Sequence, residues 1–183
     1  LYAGLFKRVT KIISTNQIKK SRLIKEFGVS EQKIIVQPNG IDLKSFEVLK
    51  IKLELRQVLQ LPADTKIISY VGKYKTFGQD KGVREIIKVF SKINSDVLLL
   101  LVGINEDEKK DVEALLRESG VEQGSCRIVR HVSHAEVPLY LRASDVLVMN
   151  YPNTEHYSQF MSPIKMFEYM ASGTPIVATN LPS

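Results

Sequence analysis

Six consecutive residues, Val97 to Val102, read Val-Leu-Leu-Leu-Leu-Val, with no polar side chain among them. A strand with one wet face alternates apolar and polar residues, so a strand apolar throughout must be covered on both sides. Further strand-like runs lie at 67–71, 127–132, 146–149 and 175–178, and helical spacing separates them. The clearest helix carries Val83, Ile86, Ile87, Phe90 and Ile93 on one face. Others are expected at 108–119, 136–143 and 163–171. Doubly covered strands alternating with amphipathic helices predict an α/β fold, a doubly wound parallel sheet. Such sheets take ligands in the crevice beyond the carboxyl ends of their strands.

Ahead of this rhythm the sequence predicts a strand at 9–14, a helix from Gln17 to Phe27 closed by Gly28, and a strand at 33–37 closed by Pro38-Asn39-Gly40. This is a partial βαβ unit. A polar helical stretch follows, broken by Leu61-Pro62-Ala63-Asp64. The expected organisation is therefore a βαβ piece at 1–44, a linker helix at 45–64 and the main sheet at 65–183.

Charge is divided unevenly. Residues 1–60 hold 12 Lys and Arg against 5 Asp and Glu, a net of +7, and the remainder holds 14 against 15, a net of −1. The cluster Lys19, Lys20, Arg22 and Lys25 has no interleaved aromatic residues for stacking on bases, so it reads as a solvated helix face and no nucleic-acid partner is expected. The lone Cys126 rules out a disulfide framework or a cysteine metal site and suits a reducing, cytoplasmic compartment. No apolar run approaches the ~18 to 20 residues of a membrane span. The chain opens at Leu1 without methionine and stops at Ser183 directly after a strand, which leads to the expectation of a piece of a longer protein.

The strand ends hold the candidate chemistry. After 67–71 comes Gly72-Lys73-Tyr74-Lys75-Thr76-Phe77-Gly78-Gln79-Asp80-Lys81-Gly82, a lysine loop entering a helix. It suits an anion or, equally, a plain surface loop, being neither a Walker loop nor a G-x-G-x-x-G fingerprint. Arg130 and His131 follow the third strand and could contact a base or phosphate. His131 and His134 lack a third ligand at metal spacing, so strand-end hydrogen bonding is the favoured reading and no metal site is expected. The stretch 150–161 is long for a turn. Beyond it, Ser162 and Pro163 suit the start of a helix, on which Lys165 and Glu168 stand three apart. An exposed ion pair between them would contribute only ~0.2 to 0.5 kcal/mol.

Taken in order, Asn39-Gly40-Ile41-Asp42, Val71-Gly72-Lys73 with Asp80-Lys81-Gly82, Leu101-Val102-Gly103, Ala143-Ser144-Asp145-Val146 and Phe167-Glu168-Tyr169-Met170-Ala171-Ser172-Gly173-Thr174-Pro175 resemble the donor domain of family 4 retaining glycosyltransferases. The resemblance covers nearly the whole chain. It implies the Rossmann-like half of a GT-B fold preceded by the end of an acceptor-side domain. It further implies a nucleotide-sugar donor, a saccharide or lipid-linked acceptor, no cofactor and no metal, while the basic first 60 residues would suit peripheral membrane association. By resemblance Gly72, Lys73 and Lys81 hold the donor diphosphate, Glu168 takes the ribose hydroxyls, and Arg130, His131, Ser162, Pro163, Ile164 and Lys165 are base or sugar contacts. The N-terminus of the helix after Lys81 would share the diphosphate charge.

The family's pattern has a glutamate eight residues before the one matched by Glu168, and this chain has Phe160 there; Glu155 is the candidate stand-in. The expected function is sugar transfer with retention in bacterial polysaccharide or glycolipid synthesis, with little turnover by this stretch alone. The alternatives are a binding module of the same fold without transferase activity, or a nucleotide-sugar hydrolase or epimerase.

Overall fold

The computed structural model describes residues 2–76, 78–93 and 96–182. In chain order the elements begin with α1 (Tyr2–Arg8), β1 (Ile12–Ser14), α2 (Gln17–Phe27), β2 (Ile34–Val36) and α3 (Lys52–Val58). Next come β3 (Lys66–Val71), β4 (Lys75–Thr76), β5 (Gln79–Asp80), α4 (Val83–Phe90), β6 (Val97–Val102), α5 (Glu106–Glu118) and β7 (Cys126–Val129). The series closes with α6 (Val137–Ala143), β8 (Val146–Met149), α7 (Glu155–Gln159), α8 (Ile164–Ser172) and β9 (Ile176–Ala178). Two compact units divide the chain: unit 1 is Leu1–Ile41 with Asn153–Ile164 and Asn180–Ser183, and unit 2 is Asp42–Pro152 with Lys165–Thr179.

In unit 1, β1 and β2 are parallel, with Ile12 opposite Ile34 and Ser14 opposite Val36. The strand expected from Val9 starts only at Ile12, because the chain is helical as far as Arg8. With 7 residues α1 makes just under two turns, too few to display a helical stripe in sequence. Asn16 caps α2 by accepting from the Lys19 N–H at 2.8 Å, and Gly28 ends it with a left-handed φ of 64°.

The same Asn16 donates through Nδ2 to the carbonyls of Gln159 (2.9 Å) and Met161 (3.2 Å). Asn39 donates its N–H to Ser162 Oγ (3.0 Å) and its Nδ2 to the Ser162 carbonyl (2.6 Å). Two asparagines thus fasten the 153–164 segment, which holds the short helix α7 where the sequence suggested only loop.

Unit 2 is built on a five-stranded sheet in the order β7-β6-β3-β8-β9, every pair parallel. The chain winds outward from β3 to β6 and β7, then returns to lie on the other side of β3 as β8 and β9. This is the doubly wound arrangement, and its direction reverses between β3 and β8. The core places Val83, Ile86, Ile87 and Phe90 of α4 against Leu99 and Leu101 of β6 and Val112 and Leu115 of α5. Each such side chain contributes roughly 1.5 to 3 kcal/mol by leaving water. The third strand, expected to reach Val132, stops at Val129. Its neighbour β6 ends opposite that residue, and the N–H groups of Gly103 and Ile104 both close onto the Val129 carbonyl.

At the amino ends of the strands, Arg56 of α3 is only 5% exposed. It donates to the carbonyls of Ala143 (3.0 Å), Ala63 (2.6 Å) and Thr65 (3.1 Å) and to Asp145 Oδ2 (2.6 Å). Asp145 also accepts from the Ile67 N–H (2.8 Å) and pairs with Lys52 (3.1 Å). Ser144 Oγ lies 2.5 Å from Ser69 Oγ in the same buried patch. The Ala143-Ser144-Asp145 stretch therefore locks β8 to β3 and leaves their carboxyl ends to form a site.

Candidate functional site

Where β3 stops, Gly72 adopts a φ of 144°, and a Cβ there would lie 2.6 Å from Lys165 Nζ and 2.7 Å from Lys165 Cε. Where the lysine loop enters α4, Gly82 has a φ of 93°, and a Cβ there would fall 1.5 Å from the carbonyl oxygen of Asn150, the residue that follows β8. Both positions favour glycine by conformation, and Gly82 also for room, since its neighbour is backbone. They draw the loops after β3 and β8 together at the reversal point of the sheet, where this class of fold takes its ligands.

The loop itself holds a short antiparallel hairpin, Lys75 opposite Asp80 and Thr76 opposite Gln79. Its Lys73 carbonyl accepts from the buried Tyr70 hydroxyl at 2.8 Å, and the Lys81 N–H donates to the Tyr74 carbonyl at 3.0 Å. The Lys73 side chain is exposed and Lys81 is half-buried. Burial, with added repulsion from Lys73, pulls Lys81 below the usual lysine range. Two mutually repelling ammonium groups on one small loop form a site that an anion would stabilise.

The helix N-terminus after this loop does not serve as expected. Asp80 takes the N–H groups of Gly82 (2.6 Å), Val83 (2.8 Å) and Arg84 (3.3 Å) onto its own carboxylate. The free donors foreseen for an anion are satisfied from within the protein.

Helix α8 contributes Lys165, Glu168 and Tyr169. The fully buried Tyr169 hydroxyl accepts from the Val71 N–H (2.8 Å) and donates to the Val71 carbonyl (3.2 Å), pinning the helix to the end of β3. Burial drives the Tyr169 phenol far above its ordinary value, so it stays neutral. Glu168 Oε1 lies 3.0 Å from Nε2 of the exposed His134, whose ring meets the buried Phe46 edge-on at 5.8 Å. Lys165 does not form the anticipated helix-surface pair. It is 9% exposed, its Nζ has no hydrogen-bond partner among the described residues, and it sits 3.7 Å above the Tyr70 ring.

The other candidates are placed differently. Arg130 is exposed and turned to Glu106 at 2.7 Å, and His131 is exposed at the end of β7. Ser162, Pro163 and Ile164 belong to unit 1, where Ser162 is bound to Asn39. Glu155 and Phe160 also fall in unit 1, both beside Arg22 of α2, at 3.8 Å and 4.8 Å. No local pattern marks the Glu168–His134 contact, since 34 residues separate the two. Asp80 could have been found, because an aspartate tends to bond the backbone two residues on, here the Gly82 N–H. Among the described residues no three His, Cys, Asp or Glu side chains cluster as metal ligands, and no helix is long and apolar enough to cross a membrane.

The family profile for glycosyl transferases group 1 matches residues 65–183. A D-inositol 3-phosphate glycosyltransferase of Xylanimonas cellulosilytica is 24% identical over 177 residues, 91% of this chain and 40% of that one. Among solved structures, Anabaena Alr3699/HepE in complex with UDP-glucose superposes with a TM-score of 0.73 at 20% identity, covering 96% of this chain and 46% of its own. Sucrose-phosphate synthase of Thermosynechococcus elongatus gives a TM-score of 0.74 at 24% identity, covering 97% of this chain and 42% of its own. The chain spans less than half the length of each of these proteins, and the structural likenesses carry the fold.

Proposed function

Because this chain belongs to the glycosyl transferases group 1 family, we propose that unit 2 binds a nucleotide-sugar donor and that the full-length protein transfers the sugar with retention. The observation that carries this reading is the meeting, at the reversal point of the sheet, of a lysine loop with a helix presenting Glu168. In this reading the exposed Lys73 and the half-buried Lys81 hold the donor diphosphate, and Glu168 accepts the two ribose hydroxyls. As the bond from the anomeric carbon to the diphosphate oxygen breaks, its electron pair stays on the phosphate. The two ammonium groups then face the charge that grows there, which favours the transition state over the bound donor. The acceptor hydroxyl bonds to the same face of the sugar, and its proton leaves on the nucleoside diphosphate. No metal ion or cofactor is required by this scheme.

The acceptor is a saccharide or a lipid-linked saccharide, and the product a bacterial polysaccharide or glycolipid. A net charge of +7 over residues 1–60 suits an acceptor held at an anionic surface, with the protein associating peripherally. A second reading, a binding module without transfer, is favoured by Phe160 at the position where the family has a glutamate. Product analysis of the full-length protein with donor, in the presence and absence of acceptor, separates transfer from hydrolysis, epimerisation and mere binding.

Calorimetric titration with UDP, GDP and ADP, repeated on a Lys81→Ala, Glu168→Ala double variant, tests the donor site. The expected result is selective binding of one nucleoside diphosphate that the double variant loses. Equal binding by both proteins would put the site elsewhere.

A further inference from the structure

A buried amine without a hydrogen bond costs stability, so its retention calls for a reason. Lys165 Nζ is the buried side-chain polar atom left unpartnered among the described residues. It lies at the carboxyl end of β3, beneath the backbone of Gly72 on the side where any larger residue would project its Cβ into it. We propose that Lys165 is an anion-binding residue of this site, whose amine engages a phosphate of the bound nucleoside diphosphate through the opening that Gly72 leaves. The proposal rests on the donor-site reading above and adds a third cation to the two already assigned.

The groups facing this amine explain why it waits unpaired. Tyr70 of β3 lies 3.7 Å below it and Tyr151, after β8, 5.7 Å away. Lys81, at the entrance to α4, repels it; Glu168, three residues along α8 and shared with His134, offsets part of that. Burial is the largest influence, and it holds the amine well below the usual lysine range. An arriving diphosphate brings negative charge to the lysine loop and reverses the balance, so that Lys165 takes up a proton as the ligand binds. The long side chain needs only torsional adjustment to follow the charge.

The test is calorimetry of the protein with UDP, GDP and ADP in paired buffers of different ionisation enthalpy, between about pH 7 and 10, on wild type and on Lys165→Met. The wild type is expected to take up protons on binding the preferred diphosphate, and the variant to take up fewer while binding about tenfold or more weakly. The corresponding nucleoside, lacking phosphate, should bind both proteins equally. Thermal unfolding gives the second readout: ligand-free Lys165→Met should melt higher than wild type, because an orphan amine has been replaced by an apolar side chain of similar length. A ligand-free variant that melts lower would make the amine structural and overturn the proposal. Diphosphate binding and proton uptake unchanged by the substitution would overturn it while leaving the donor site intact. Failure of the wild type to bind any of the three diphosphates would remove the donor reading and this inference with it.

Discussion

Glu168 Oε1 lies 3.0 Å from His134 Nε2, and its side chain keeps 16% of its surface exposed. If it holds ribose, the wild-type protein should prefer a ribonucleoside diphosphate to its 2′-deoxy form by about tenfold, since a hydrogen bond to a charged group contributes ~1.5 to 3 kcal/mol. Glu168→Ala should bind the two equally; a preference that survives the substitution would remove the ribose role. Gly82 offers a prediction about stability. Adding one methyl would overlap the Asn150 carbonyl, where the built Cβ falls 1.5 Å away at a φ of 93°. Gly82→Ala should therefore cost about 3 kcal/mol, from overpacking and left-handed strain together, read as a lowered urea midpoint with the slope unchanged. Residue types were legible from the sequence at this scale and partners were not. Lys165 and Glu168 stand out as charges near a helix start, but their actual neighbours, Gly72, Tyr70 and His134, come from other strand ends that only the fold brings near.

Among the elements, the long ones were legible because their periodicity is strong: α2, α4 and α5 and all five strands of the main sheet lie close to where apolar spacing put them. Four short ones were not: α1 and α7, with 7 and 5 residues, and β4 and β5, with 2 each, fall outside the strand–helix alternation that marked the equally short α6. The role of α3 was also hidden, since nothing in the sequence ties Arg56 to Asp145, 89 residues on. That pair makes α3 a clasp on the amino ends of β3 and β8. Arg56→Met should destabilise unit 2 by about 2 to 3 kcal/mol, because the carbonyls of Ala143, Ala63 and Thr65 and the Asp145 carboxylate lose one shared donor together.

The pH dependence follows from the carboxylate. Burial alone would raise Asp145, but its bonds from Ile67, Lys52 and Arg56 outweigh this and hold it below the usual aspartate range. A depressed folded value means stability that is present above the unfolded value of ~3.9 and lost as pH falls through the folded one. Asp145→Asn should thus be less stable near neutral pH and show a shallower loss of stability in acid; an acid limb identical to wild type would contradict the assignment.

For the whole molecule, fold class was the most legible property and the course of the chain the least. An all-apolar strand commits a chain to a covered sheet, whereas the return of 153–164 and 180–183 to unit 1 leaves no local mark. The uneven charge, net +7 over residues 1–60, gives a prediction at this scale. Cosedimentation with anionic vesicles should be appreciable at low ionic strength and fall away as added salt shortens the screening length from ~10 Å at 0.1 M; vesicles without net charge should retain little, and equal retention on both would sink the idea of electrostatic association. The asparagine bonds of unit 1 set a different kind of limit. Asn39 and Ser162 are 123 residues apart and Asn16 and Gln159 are 143 apart. At ~5 to 20 residues per second of synthesis, the first helix and strands emerge from the ribosome roughly 6 to 30 seconds before the segment that completes them. Residues 1–41 are made well before the 153–164 segment they bond to, and the surplus of lysine and arginine they carry favours hydration through that interval.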